Sequence, residues 1–461
     1  MIRLRGLTLT DAKNTKKGVI RFKDLPSGAS VTGIYGQNGS GKTTVIIAIQ
    51  LLKTLLEGES ITDESVGFIR QGADKGSLNA TFDTDLGVLL YDVVFERIPD
   101  DSGRMRVVNE TLTIRPADGS RKRLLIDHGL DEQSDDMGLR PYHTMPRIQW
   151  RSIRSVRSGD ELLGQEETLA WSEGRSFVFS KTTRTTLERI SGIIERDDRS
   201  AAAKTTARRD TLVPLLGAVE TLSTFARRDM RIVTTREGSS VSFDYTPLPV
   251  DGHGFDMLDI SHKTAIPAEY KTSILNMVDQ ANKVMPSLVP GLHLGCSMSD
   301  VPLKDGKPGI EVFLYSIRND VTTPLWAESE GIRRIMGILS LLIRMFNEVN
   351  VCIAIDEIDS GIFEVLLGSL LQVLATRGVG QLIFTAHNLR VLETLTSDSI
   401  VFSTTDPENR FTTIPTRGTN NLRDMYIGIV DRGTSDKPFS DRTRQREIAL
   451  ALTEAGDEEH Q

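Results

Sequence analysis

Cysteine is nearly absent from this 461-residue chain, which has only Cys296 and Cys352. Two such residues make neither a disulfide framework nor a zinc site. Cys352 lies in a very apolar stretch and is expected to be core. A reducing, cytoplasmic location follows as the expectation. Aromatic residues are scarce, at 6%, so a basic surface here would find few partners for base stacking. No run of about 18 apolar residues occurs, and no transmembrane helix is expected; the longest candidate, 335–345, is short and broken by Arg344. The chain opens with Arg3 and Arg5 in an alternating pattern, and a secretory leader is not expected. No internal repeat is visible. The net charge of −8 does not by itself point to nucleic acid, although local charge can differ from the total. What remains is an ordinary globular composition, long enough for two or three domains.

The most specific feature present is Gly36-Gln37-Asn38-Gly39-Ser40-Gly41-Lys42-Thr43, a complete G-x-x-x-x-G-K-[ST] loop. An apolar strand (31–35) leads into it and a helical pattern (43–56) leads out, which is the context this motif requires. Gly36, Asn38, Gly39, Ser40, Gly41 and Thr44 are expected to bring backbone N–H groups and the helix N-terminus to a triphosphate. Lys42 is expected at the β- and γ-phosphates, and the Thr43 hydroxyl on Mg²⁺.

Ile353-Ala354-Ile355-Asp356-Glu357 is an apolar strand tipped by two acids. Ligands gather at the carboxyl ends of strands in open α/β sheets. There Asp356 is expected to hold Mg²⁺ and Glu357 to polarise an attacking water, the two tasks phosphoryl transfer sets. Alone, the pair could simply cap the next helix. His387 follows the next buried strand, 381–384, and could contact the γ-phosphate or merely end that strand. Ser329-Glu330-Gly331 begins an amphipathic helix; it reads equally as a second phosphate-binding surface or as an N-cap.

Elsewhere, 2–9 reads as a strand, 14–18 as a turn and 19–22 as a returning strand. Strands are expected at 77–82, 88–96 and 106–114, and again from Gly309 and at 349–355. Residues 126–160 look irregular and carry Arg140, Arg147, Arg151, Arg154 and Arg157 around Trp150. Residues 181–231 look helical with a break near Pro214, 237–262 like a loop or small hairpin, and 266–286 and 363–377 helical. The polar tail 454–461 reads as frayed. The expected organisation is a split head, with 1–125 as its N-terminal part, 126–290 as a mostly helical insertion and 291–461 as its C-terminal part.

This constellation resembles the ABC-type ATPase heads of the SMC, RecF and RecN proteins, and most of all the OLD branch. The matching residues are Asn14-Thr15-Lys16-Lys17-Gly18, the phosphate loop, Ser329-Glu330-Gly331-Ile332-Arg333-Arg334, Asp356-Glu357-Ile358-Asp359-Ser360-Gly361, Thr385-Ala386-His387-Asn388 and Asn421-Leu422-Arg423-Asp424-Met425-Tyr426. The insertion is not covered. The resemblance implies an α/β P-loop NTPase head: a mixed sheet with helices, plus an antiparallel β subdomain. It also implies ATP and Mg²⁺ as ligands, and a homodimer or higher oligomer with composite sites. Ser329 and Gly331 are then expected to act on the nucleotide of the partner head, and Asp359 and Ser360 to form the loop linking two sites. The chain departs from the pattern in three ways. The usual metal-sensing glutamine is not identifiable, Gln71 and Gln149 being the candidates. Phe363 stands where many relatives have histidine. No acidic cluster of a TOPRIM nuclease follows His387.

Stand-alone heads of this kind resemble the ATPase components of phage-defence systems such as PARIS and Septu. The expected function is thus an ATP-hydrolysing sensor or scaffold that controls a separate nuclease or toxin, triggered by nucleic acid or a phage protein. The alternative is a RecF- or RecN-like repair ATPase that binds DNA directly. A third reading places a nuclease in the insertion or in the tail residues Asp441, Arg442, Arg444, Arg446 and Glu447, which read equally well as a salt-bridged helix face. The arginine-rich span and the helices of 181–231 are either nucleic-acid-facing or a solvated face of mixed charge. Trp150 either stacks on a base or anchors the core.

Overall fold

The computed structural model describes residues 1–23, 28–61, 65, 67–99, 103–131, 142–196, 202–234, 245–250, 254–260, 262–414, 421–432 and 445–457. Arg140, Asp441, Arg442 and Arg444 lie outside them.

The fold is mixed α/β and is organised by a six-stranded sheet with the order 411–412, 400–403, 30–35, 381–385, 352–355, 230–233. All neighbours are parallel except the first pair. Parallel sheets are covered on both faces, so their strands are apolar throughout. Side chains of these strands alternate between two cores. Ile34, Cys352, Ala354, Ile383 and Val401 face the phosphate-loop helix Lys42–Glu57. Val31, Tyr35, Ile353, Ile355, Leu382 and Phe384 face the helices Glu330–Asn347 and Glu364–Arg377. Cys352 is buried core as expected, and burial pushes its thiol up to about 12.

An antiparallel seven-stranded sheet, in the order 15–21, 3–12, 75–84, 87–97, 105–116, 123–130, 142–145, closes over the phosphate-loop helix. A smaller antiparallel sheet (264–267, 308–318, 293–302, with 321–324 on 308–318) and the hairpin 245–250/254–259 accompany the second core.

Several local expectations change. The first turn is only two residues, with Ala12 paired to Thr15, and the returning strand starts at Thr15 and not Val19. Its polar residues misled: Thr15 and Gly18 face inward while Lys16 and Lys17 face solvent. Of the stretch 126–160, the residues 126–131 and 142–160 are described, and most of them are regular. They complete the strand Arg123–Leu130, add Tyr142–Met145 and form the helix Arg147–Arg154. Within 126–290, the first residues thus belong to the seven-stranded sheet, and Met230–Val233 is the edge strand beside 352–355. Trp150 is 1% exposed and belongs to the core, so it is no stacking platform. Val349 is exposed, and the acid-tipped strand is shorter than expected, Cys352–Ile355. A strand, Thr264–Pro267, precedes the helix Lys271–Leu288. Pro214 sits in the first turn of the helix Val213–Arg228, just after a π-helical turn, Arg208–Leu212. The tail is helical over Gln445–Asp457.

His128 is a buried titratable group of the seven-stranded sheet. It stacks on Phe177 at 4.0 Å and on Tyr142 at 5.6 Å, and its Nδ1 lies 3.2 Å from Thr144 Oγ1. Burial, reinforced by Arg154 and His143, pushes the imidazole down to about 3. The folded protein therefore keeps this ring neutral while the unfolded chain protonates it near 6.5. Protons favour the unfolded state, and this contribution to stability is lost as pH falls from 6.5 towards 3. His128→Phe, which retains the stacking, is expected to flatten the decline of the urea midpoint across that window. A variant whose midpoint falls as steeply as that of the parent refutes the assignment.

Candidate nucleotide site

Strand order builds the site. The strand 381–385 lies between the phosphate-loop strand and the acid-tipped strand. Thr385, at its carboxyl end, is paired with Ile34 on one side and stands beside Asp356 on the other. Its hydroxyl donates to Asp356 Oδ1 at 2.5 Å and accepts from the Glu357 amide at 2.7 Å. The Thr43 hydroxyl reaches the same Oδ1 at 3.4 Å. Asp356 is fully buried, and a buried carboxylate is held only where hydroxyls and cations answer it.

Glu357 adopts φ of 49°, a left-handed conformation uncommon for a residue with a side chain. Its backbone is held on both sides, by Thr385 at the amide and by Arg334 at the carbonyl. Arg334, 1% exposed on the helix Glu330–Asn347, donates to the carbonyls of Asp356 at 3.0 Å and Glu357 at 3.3 Å. Strain restrained in this way is a mark of functional sites. The held turn presents the Glu357 carboxylate, 3.9 Å from His387 Nε2, in the cleft.

That cleft, about 370 Å³, is lined by Lys13, Asn14, Asn38, Gly39, Gly41, Lys42, Thr43, Thr44, Glu357, Thr385 and His387. The Lys42 ammonium donates to the carbonyls of Gly36 at 2.8 Å and Gln37 at 3.1 Å. Burial lowers its pKa, against the pull of Asp356, Glu357 and Asp359. Gly41 has φ of 99°, and a Cβ there would lie 2.9 Å from Asn14 Oδ1. Only glycine gives the loop both this conformation and this close approach.

The structure brings Asn38, Gly39, Gly41, Lys42, Thr43, Thr44, Glu357 and His387 to one cleft. Asp356 lies directly beneath it, against Thr43. Gly36 and Ser40 stand behind the loop: the Ser40 hydroxyl meets that of Ser403, which in turn donates to the Tyr35 carbonyl at 3.0 Å. Ser329 and Gly331 do not line this cleft. Ser329 caps its helix, accepting from the Ile332 amide at 3.4 Å, which leaves the hydroxyl proton free to donate. Gly331 packs on the loop after Glu357: a Cβ on it would lie 2.4 Å from the Gly361 carbonyl oxygen. Neither Gln71 nor Gln149 lines the cleft.

Asp359 does something the sequence did not indicate. Its Oδ2 accepts the amides of His387 at 2.8 Å and Asn388 at 2.6 Å. Thr385, Arg334, Asn14, Ser403 and Arg410 were likewise given no role by sequence reasoning, although Asn14, Arg334 and Thr385 fall inside the resembling segments. Asn14 donates to the Gly39 carbonyl, and Arg410 donates to the carbonyls of Asn14 and, at 2.7 Å, Thr404.

The donor set of Thr43 hydroxyl and Asp356 carboxylate is hard oxygen and suits Mg²⁺. That ion is held by one or two carboxylates together with the substrate's phosphates, not by an all-protein cage. Among the described residues, no group of three or more His, Cys, Asp or Glu is placed to hold a metal ion. No described helix is long and apolar enough to cross a membrane.

No protein-family model matches the sequence, and no curated protein matches it. Solved structures to which the chain is similar include Smc head domains. One, from Pyrococcus furiosus, has an extended coiled coil and is bound to the C-terminal domain of ScpA (13% identity, 94% of this chain and 99% of that one, TM-score 0.42). Another is an Smc head bound to the C-winged helix domain of ScpA (15% identity, 89% and 97%, TM-score 0.43). A third, from Pyrococcus yayanosii, is a head domain with a coiled coil and joint (12% identity, 93% and 99%, TM-score 0.44).

The geometry makes Asp359 a clamp on the His387 loop. Asp359→Ala removes two charge-assisted hydrogen bonds, each worth about 1.5–3 kcal/mol. Amide hydrogen exchange at His387 and Asn388 is expected to accelerate roughly tenfold or more. Asp359→Asn, which keeps an acceptor oxygen, should restore most of the protection. Unchanged exchange in the alanine variant would remove Asp359 from this role.

Proposed function

We propose that this chain binds ATP with Mg²⁺ and hydrolyses it. The observation that carries the reading is the joining of Thr43, Asp356, Thr385 and Glu357 at the floor of a glycine-loop cleft. Lys42 and the loop amides bind the β- and γ-phosphates. Thr43 and Asp356 hold Mg²⁺, which when bound neutralises charge on those phosphates. Glu357, fixed by Thr385 and Arg334, accepts a proton from the attacking water, and His387 steadies that water or the γ-phosphate beside it.

A single chain is, on this reading, half of the catalytic unit. The Ser329 hydroxyl and the N-terminus of its helix lie away from the cleft, on the face shared with the loop 358–361, where they can reach a nucleotide held by a second copy. ATP then closes a homodimer or higher oligomer, and hydrolysis reopens it. The resemblance of the sequence motifs to the ATPase components of phage-defence systems supports a sensor or scaffold whose output is a separate nuclease or toxin.

Two substitutions test the chemistry. Lys42→Ala should weaken ATP binding by roughly 10–100-fold, the loss of a charged phosphate contact; unchanged affinity would show that the loop does not hold the triphosphate. Glu357→Gln should bind ATP normally, lower turnover by about 100-fold or more, and shift in mass to a dimer or larger species when ATP–Mg²⁺ is added. Turnover at the parental rate would exclude Glu357 as the base, and a strict monomer would exclude the shared site.

A further inference from the structure

The strand His293–Pro302 is an edge: among the described residues it pairs with Pro308–Arg318 on one side and with no strand on the other. The pairing runs from His293 opposite Ile317 to Pro302 opposite Pro308 without a bulge. Along such a strand the backbone N–H and C=O groups of successive residues point alternately to one side and the other. Leu294 fixes the parity. Its amide donates to Asn282 Oδ1 at 2.7 Å, and its carbonyl accepts from Asn282 Nδ2 at 2.9 Å. Even-numbered residues therefore turn these groups away from Pro308–Arg318. Those of Cys296, Met298 and Asp300 face outward, and they have no hydrogen-bond partner among the described residues. Asn282 thus stands in for a neighbouring strand at one residue and leaves the next three open.

Edge strands that stay single are usually blunted by lysine, by proline or by a bulge. Residues 294–301 carry none of these; Asp300 is their one charged side chain, and Pro302 closes the run. All of 295–302 is half-buried or exposed. The run is also complementary to itself. Turned about a two-fold axis at Met298, it meets a second copy antiparallel. Met298 then faces its counterpart, Cys296 faces Asp300, and Ser297 faces Ser299. Leu294, whose backbone groups Asn282 occupies, falls opposite Pro302, which has no N–H to offer. Asp300 meets a thiol and not a second carboxylate, so no like charges stand opposite each other. Cys296 and Met298 pack against the second core, and the same pairing brings their partly buried apolar faces together.

We propose that this strand pairs antiparallel with the same strand of a second copy, centred on Met298, and joins two four-stranded sheets into one of eight strands. Three N–H and three C=O groups of each copy are satisfied in doing so. The contact is separate from the nucleotide-closed one through Ser329, and it needs no nucleotide. An isologous contact of this kind closes on itself as a dimer. Combined with a second, ATP-gated interface it builds assemblies larger than a dimer.

Sedimentation velocity of the full chain, without nucleotide and with a chelator present, tests this. A single strand pair is smaller than a standard interface, so dimerisation is expected to depend on concentration over roughly 1–100 µM. Ser297→Lys/Ser299→Lys sets lysines opposite one another at two exposed positions and should weaken association about tenfold or more. Met298→Pro deletes an outward N–H that the existing ladder does not use, and should weaken it likewise. Thermal unfolding of the lysine variant at the parental temperature shows that the fold is intact. Met298→Cys should oxidise to a disulfide-linked dimer, since directly paired Cα atoms lie about 5.5 Å apart. The parent, with Cys296 opposite Asp300, should not cross-link. A parent that stays monomeric throughout the range overturns the proposal, as does a lysine variant that associates as the parent does. Efficient cross-linking of the parent through Cys296 overturns the register. Because nucleotide is absent, these outcomes stand apart from whether the chain binds or hydrolyses ATP.

Discussion

A fully buried carboxylate, Asp356, at the tip of a central strand is the constraint on which the rest of the structure depends. An ionised group in such a place is tolerated only if every direction around it is answered. Two hydroxyls, Thr43 and Thr385, converge on one of its oxygens, and Arg334 binds the carbonyls of this turn from behind. These partners come from three separate segments. Satisfying Asp356 therefore fixes the start of the phosphate-loop helix, the end of the strand 381–385 and the rotation of the helix Glu330–Asn347 at once. Displacing any one of them leaves a buried charge poorly compensated.

The same turn continues into the loop that ties the glycine-loop cleft to its neighbours. Asp359 caps the amides of His387 and Asn388, while Gly361 receives Gly331 of the Ser329 helix at van der Waals contact. A shift of the Ser329 helix therefore presses directly on backbone that also holds the histidine. The Asn388 side chain extends the connection by donating to Glu364 at 3.4 Å, on the helix after this loop. Arg390 and Arg423 share Glu393, which brings the helix Leu422–Arg432 into the same network, and Tyr426 of that helix stacks on Phe402 at 5.0 Å. Polar contacts thus run from the cleft loop to the helix Leu422–Arg432.

On its other side the phosphate loop is braced by both ends of the chain. The hairpin residue Asn14 holds the Gly39 carbonyl, Arg410 holds Asn14, and Ser403 fills the space beside Gly36, where a Cβ would lie 2.0 Å from its hydroxyl. A glycine-rich loop is entropically costly to order. Contacts from residues nearly four hundred positions away in sequence reduce its freedom.

The sequence by itself determined the phosphate loop, the acid-tipped strand and the strand–helix identities around them. Each depends on residues a few positions apart, whose spacing and apolar period are local properties. Where local composition conflicted with pairing it misled, as at Thr15–Gly18, because polar residues can face inward once a neighbouring strand covers them. Only the tertiary structure decided that Thr385 bridges Asp356 and Glu357, that Asp359 turns to the histidine loop, and that Trp150 is core. Each of these joins residues distant in the chain. Which distant residues meet is set by strand order and by the burial of apolar faces, and neither is written in any single stretch of sequence.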